Sequence, residues 1–195
     1  MNKKILVIDI ETTGFHPREA IITEVGIVEL DLETGERQLI FDEVCWNRRD
    51  FLNEDYISSS WIVKKGYMTT EEIRNGRDFD SIKKDIQEII DYYPNGATAY
   101  NRIFDITFLE YYGITFPKLL PCPMILSTGI CKIPFNNPRQ RGLNYKRPNV
   151  EEAYAFFFPE ATYNEIHRGG DDAMHEAEIV YKVYELNQFT LRKYF

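Results

Sequence analysis

Stretches long enough to enter a bilayer are missing from this 195-residue sequence. Leaving tyrosine aside, its longest apolar runs, residues 5–8 and 155–158, hold four residues each, against the roughly 20 that a spanning helix needs. No membrane segment is expected. Lys3 and Lys4 precede the first run in the manner of a signal peptide, but Asp9 and Glu11 interrupt it before a translocatable core is built, so a cytoplasmic protein is expected. Cysteine is scarce: Cys45, Cys122 and Cys131 form no Cys-x-x-Cys pair and have no histidine at zinc-finger spacing. Neither a disulfide framework nor a structural zinc is therefore indicated, and reduced, mostly buried thiols are expected. Positive charge is short, with 23 Lys and Arg against 31 Asp and Glu and a net charge of -8. Attachment to nucleic acid by bulk charge alone is disfavoured. No internal repeat or low-complexity tract appears.

What is present suits one globular unit, 1–195, because a chain of this length with 44% hydrophobic residues can fill a full core but hardly two. Residues 4–10 read as a buried strand, and Ile22, Val25, Ile27 and Leu30 alternate with polar neighbours as a second. Turn chemistry at 31–35 then predicts a third strand, 38–46, returning antiparallel. Phe79, Ile82, Ile86, Ile89, Ile90 and Tyr93 fall three and four apart, which predicts an amphipathic helix ended by Pro94 and Gly96. A short strand at 97–100 and helices at 104–112 and 171–186 follow. Strands first and mixed with helices later indicate an α/β or α+β class with a mixed sheet.

One segment differs in charge. Residues 118–150 contain no Asp or Glu, while Lys118, Lys132, Arg139, Arg141, Lys146 and Arg147 make the segment basic. Five prolines punctuate it, so an irregular excursion around one short helix is expected. Its charges either form a path for a polyanion, with Arg139, Arg141, Lys146 and Arg147 as candidates, or only balance the acidic remainder.

Three acidic motifs carry the chemistry. Asp9 and Glu11 lie two apart at the end of the first strand, so both carboxylates project from one face. Taken alone, the pair is equally two acids in solvent at a strand end. Asn101-Arg102-Ile103-Phe104-Asp105 runs from a strand into a helix whose first turn holds Asp105, where the helix dipole also favours an acid. Phe104 and Phe108 sit one turn apart there, as core or as base-stacking residues. His167-Arg168-Gly169-Gly170-Asp171-Asp172 brings a histidine on a glycine-bearing loop to a helix that begins with two acids. A neutral imidazole suits proton abstraction near pH 7, with His175 as the rival base.

In company, these motifs resemble the DEDDh, DnaQ-like family of 3′-to-5′ exonucleases. Asp9-Ile10-Glu11-Thr12-Thr13-Gly14, the stretch around Asp105, and His167-x-x-x-x-Asp172 match in order and spacing. Ile21-Ile22-Thr23-Glu24-Val25-Gly26 resembles the family's second strand, and Cys122-Pro123-Met124 its Cys/Asp-Thr-Met segment.

The resemblance implies a ribonuclease H-like α/β fold, with a central mixed sheet of about five strands flanked by helices. It implies two divalent ions, Mg²⁺ or Mn²⁺, held by Asp9, Glu11, Asp105 and Asp172, with His167 as general base. It also places Thr12, Thr13, Phe15, Asn101 and Phe104 near the substrate, with Phe15 open as a stacking or a core residue. The implied reaction releases nucleoside 5′-monophosphates from the 3′ end of single-stranded nucleic acid, DNA being favoured. The alternatives are an RNA-trimming or oligoribonuclease-like enzyme of the same mechanism and, less in keeping with a complete set of site residues, a non-catalytic nucleic-acid-binding module. Single-stranded DNA or RNA 3′ ends are the expected partners, and a homodimer is a further candidate assembly. The sequence ends shortly after the last expected helix, so no polymerase-binding tail is expected.

Overall fold

The computed structural model describes residues 3–47, 54–135 and 145–191. Three long strands, β1 (Lys4–Thr12), β2 (Ile22–Asp31) and β3 (Arg37–Trp46), form the antiparallel meander expected from the alternation. Two two-residue strands complete the sheet: β4 (Arg77–Asp78) runs parallel to β3, and β5 (Ala97–Thr98) parallel to β1. The order is β4-β3-β2-β1-β5, a mixed five-stranded sheet. Its helices are α1 (Glu54–Ser59), α2 (Trp61–Lys64), α3 (Thr70–Asn75), α4 (Phe79–Tyr92), α5 (Arg102–Tyr111), α6 (Pro123–Cys131), α7 (Val150–Phe157) and α8 (Gly169–Glu185). No described helix is long and apolar enough to cross a membrane.

The strand period of two sorts β1 between two cores. Ile5 and Val7 pack with Ala173, Ala177 and Val180 of α8, while Leu6, Ile8 and Ile10 pack on the other side with Ile82 and Ile86 of α4 and Phe108 of α5. The even face ends in a hydrophobic residue and the odd face in acids, because Asp9 and Glu11 continue the row of Ile5 and Val7. A smaller apolar cluster of Ile57, Ile62, Met68 and Ile73 holds α1 to α3 together beside β3.

Two asparagine or threonine caps escaped the periodicity analysis. Thr69 and Glu72 form a reciprocal capping box on α3, and Asn149 and Glu152 form another on α7. The expected short helix of the acid-free segment is α6, and Lys146 lies beyond it, paired with Glu152 of α7 at 2.5 Å.

Gly26 sets how closely α8 can approach. A Cβ on Gly26 would lie 2.1 Å from the carbonyl carbon of Gly169 and 2.4 Å from the Gly170 nitrogen. Backbone of β2 thus touches backbone of the first turn of α8, the turn that precedes Asp172. Gly26→Ala must push the two apart, at about 2–3 kcal/mol for an overpacked contact. Thermal unfolding should show a Tm lower by roughly 5–10 °C for a chain of this size.

Candidate active site

Three elements converge on the odd face of β1. From β1 come Asp9 and Glu11, and α5, which begins a short connection after β5, brings Asp105 in its first turn. From α8 comes Asp172, on the buried stripe that also contains Ala173, Glu176 and Ala177. The period of 3.6 puts Glu176 one turn after Asp172, facing the same cleft. Asp105, Asp172 and Glu176 are each almost completely buried. The cleft has a volume of about 180 Å³ and is lined by Asp9, Glu11, Asn101, Asp105, His167 and Glu176 among others.

Oxygens of Glu11 and Asp172 and a ring nitrogen of His167 lie within 4.8 Å of one another. Two donors aim the Asp172 carboxylate: the Tyr163 hydroxyl donates to Oδ1 at 2.5 Å, and the Arg168 backbone N–H donates to Oδ2 at 3.0 Å. Glu176 accepts from the Tyr100 backbone N–H at 3.1 Å. The Arg168 guanidinium turns away from this cluster. It grips buried Glu24 through Nε and Nη2, and its Nη1 reaches Glu72 at 3.3 Å.

Burial and mutual repulsion dominate the electrostatics. Part of Asp9 faces the cleft, yet desolvation, followed by Glu176, Asp105, Glu11 and Asp172, holds its carboxyl well above the ordinary range. Glu176 is raised in the same way, by burial and then by Asp105. Asp105 is pushed up to about 8, chiefly by burial, although backbone N–H groups oppose the shift. Glu165, on the loop before His167, is raised to about 7 by burial, with Asp172 and Glu11 adding to it against His167. Burial pulls the His167 imidazole down, but Glu11, Glu165 and Asp172 outweigh it and the net shift is upward. Such a set of hard oxygen donors fits divalent cations, which would remove the repulsion that the side chains alone leave in place.

The structure places the residues named from sequence as follows. Asp9, Glu11, Asp105, Asp172 and His167 come together, with Asn101 and Phe104 at the rim. Thr12, Thr13, Phe15 and Phe104 line a neighbouring groove of about 370 Å³ with Tyr56 and Trp61, and Phe15 is 80% exposed, so it is not core. Thr13 accepts the Ile21 N–H through its hydroxyl, a structural task. Phe108 is core. Lys146, in its ion pair with Glu152, and exposed Arg147 line neither cleft, and Arg139 and Arg141 lie outside the described residues. His175 stacks on Tyr163 at 4.1 Å with its Nδ1 on the Asp171 carbonyl, a structural placement. Glu176, Glu165 and Tyr163 were not anticipated. Of these only Glu176 had a signal, its spacing of four from Asp172.

The sequence matches the family model for exonucleases, RNase_T, over residues 6–180. No curated protein sequence matches it significantly. Among solved structures, cell-death related nuclease 4 superposes with a TM-score of 0.67 at 13% identity, covering 97% of this chain and 66% of that one. The nuclease domain of 3′hExo, a DEDDh family member bound to rAMP, gives 0.62 at 15% identity and covers 100% and 98%. Exonuclease I of E. coli in complex with a dT13 oligonucleotide gives 0.62 at 15% identity, over 92% of this chain and 40% of that one. The chain spans less than two thirds of several of these proteins, including 62% of a full-length 3′-exonuclease. At such identities the likeness establishes a shared fold.

Proposed function

The chain belongs to the RNase_T exonuclease family, of DEDDh type, and from that premise we propose that it is a hydrolase that removes nucleotides from the 3′ end of single-stranded nucleic acid as nucleoside 5′-monophosphates. One observation carries the reading most directly: Glu11, Asp172 and His167 converge within 4.8 Å at a cleft that also holds Asp9 and Asp105. Exonucleases of this type use divalent metal ions, and Asp9, Glu11, Asp105 and Asp172 would hold two, Mg²⁺ or Mn²⁺, in this chain. When bound, those ions would offset the charge of the scissile phosphate and of the leaving oxygen.

The remaining work falls to the side chains. The His167 Nδ1, which faces the Glu11 carboxylate, would take the proton of the attacking water. Tyr163 and the Arg168 backbone N–H keep Asp172 turned toward the cleft. Phe15, Tyr56, Trp61 and Phe104 offer ring faces along the adjoining groove, where terminal bases of a single strand could stack without sequence preference. Thr12, the last residue of β1, and Thr13 after it line that groove, and Asn101 stands at the rim of the acidic cleft. DNA is the favoured substrate, and RNA trimming by the same chemistry is the alternative. Arg141, Lys146 and Arg147 stay candidates for a phosphate path, with Lys146 having to leave Glu152 first. The three free cysteines fit a reducing compartment such as the cytoplasm.

The test uses end-labelled DNA and RNA strands of equal sequence. With Mg²⁺, a ladder shortening from the 3′ end and 5′-monophosphate products are expected, and EDTA should abolish both until Mg²⁺ or Mn²⁺ is restored. Turnover that persists in EDTA, or internal cuts in place of a ladder, would overturn the reading.

A further inference from the structure

Among the described residues, no hydrogen bond holds the His167 ring. It stands on a connection without regular structure between α7 and α8, with a positive φ of 54°. Its Nδ1 is 3.7 Å from Glu11 Oε1 and 3.8 Å from Glu165 Oε1, both beyond hydrogen-bond length. Two aromatic rings hold it instead. Tyr67 meets the imidazole with centroids 4.3 Å apart at 64°, and Trp61 meets it at 4.8 Å and 87°. Those two rings also pack against each other at 5.3 Å. Tyr67 is itself seated on the apolar cluster of Ile57, Ile62, Met68 and Ile73, so the contact is backed by a small core. A second tie joins the same parts, since Arg168, next to His167, reaches Glu72 of α3.

Resting on the reading of His167 as proton acceptor, we propose that Tyr67 is a positioning residue that fixes the His167 imidazole, with Trp61 packed beside it against both rings. The α1 to α3 segment is then a mount for the base. A proton acceptor on an irregular loop has several ring orientations open to it, and edge-to-face packing at these distances selects one. Trp61 also lines the groove beside Phe15, so changing it touches substrate as well as His167. Tyr67 lines neither cleft and isolates the effect.

The experiment uses the full chain with Mg²⁺ and a nitrophenyl ester of thymidine 5′-monophosphate, a substrate too short to depend on the groove. Tyr67→Ala should lower kcat by about 10- to 100-fold, the scale of a roughly 1 Å misplacement, with KM within about twofold. Tyr67→Phe keeps the ring and should keep the wild-type kcat. In a His167→Ala background, Tyr67→Ala should change kcat by less than about twofold, because its effect passes through His167. Independently of turnover, NMR of the metal-free protein should show the His167 ring C–H resonances moving in Tyr67→Ala and staying in Tyr67→Phe; with three histidines in the chain, assignment is direct. Should Tyr67→Ala lack a cooperative thermal transition, Tyr67→Leu fills the volume without a ring and carries the same expectations. An undiminished loss in the His167→Ala background, or unmoved His167 resonances, would overturn the proposal. Wild-type turnover by His167→Ala would overturn the reading of the base itself, whereas wild-type turnover by Tyr67→Ala beside an impaired His167→Ala would overturn the mount alone.

Discussion

An Asp105→Asn protein is expected to lose activity by roughly three powers of ten and, without metal, to become more stable. The loss follows because an amide is a weak ligand for a hard cation. Several kcal/mol of charge stabilisation at 1.36 kcal/mol per tenfold correspond to about 10³ in rate. The gain in stability follows from the pKa. Burial, with the Glu11 charge adding to it, holds the Asp105 carboxyl at about 8 in the folded chain, far above its ordinary 3.8. An acid whose folded pKa is raised favours the folded state only while it is protonated. Below about pH 4 it is neutral folded or unfolded and carries no penalty, and as pH rises from there toward 8 the unfolded chain ionises first and stability falls. At pH 7 to 8 the metal-free wild type therefore bears a burden that the neutral amide lacks. An amide oxygen can still accept the backbone N–H groups that serve Asp105. We expect the metal-free Tm of Asp105→Asn to exceed that of the wild type by roughly 5–10 °C at pH 7.5, on the scale of a few kcal/mol in a chain of this size. The difference should close near pH 4. Mg²⁺ should raise the Tm of the wild type more than that of the variant. Calorimetry at the two pH values decides it: equal Tm at both would mean that the cleft is wetter than its burial indicates and that Asp105 is not part of a repelling cluster.

The residues that bear on this result differ in how far sequence reveals them. Asp9 and Glu11 were legible because a strand has a period of two, and β1 keeps that period from Ile5 to Glu11 with both faces assigned to different cores. Glu176 was legible in principle, four residues after Asp172 on an expected helix, where it shares the buried stripe with Ala173 and Ala177. It passes as an ordinary helical glutamate until α8 is seen packed on β1. Tyr163, Glu165 and Tyr67 carry no such mark: the first two lie on the irregular connection before α8, where no period applies, and Tyr67 acts on a residue far from it in sequence. The short helices α1, α2 and α3 hold four to six residues each, too few for a period of 3.6 to emerge. The marks of α3 and α7 in the sequence are the capping boxes Thr69-x-x-Glu72 and Asn149-x-x-Glu152, patterns of polar residues that a search for apolar periodicity passes over. Gly26 illustrates the opposite limit. A glycine within a strand warns of a close approach, but only the fold tells that the approaching part is the first turn of the helix that carries Asp172.

Replacing His167 by alanine tests the remaining half of the proposed chemistry, because it removes the proton acceptor and leaves the carboxylates in place. Turnover at saturating Mg²⁺ should fall by about 10² to 10⁴, the usual worth of a positioned general base. The dissociation constant for Mg²⁺, followed by calorimetry, should stay within a few-fold, since every proposed ligand to the ions is a carboxylate. His175→Ala supplies the control. That ring also lies near the site, but it is stacked on Tyr163 and bonded to the Asp171 carbonyl. Its loss reaches the cleft only by loosening Tyr163, whose hydroxyl aims Asp172. A several-fold fall in rate is expected there, and the comparison rests on the gap between the two variants. A larger loss in His175→Ala than in His167→Ala would move the base to α8. Equal and large losses together with weakened Mg²⁺ binding would instead mean that both histidines act on the geometry of Asp172, and that the water gives its proton to something else, with Glu165 next in line because burial already holds its carboxyl near 7.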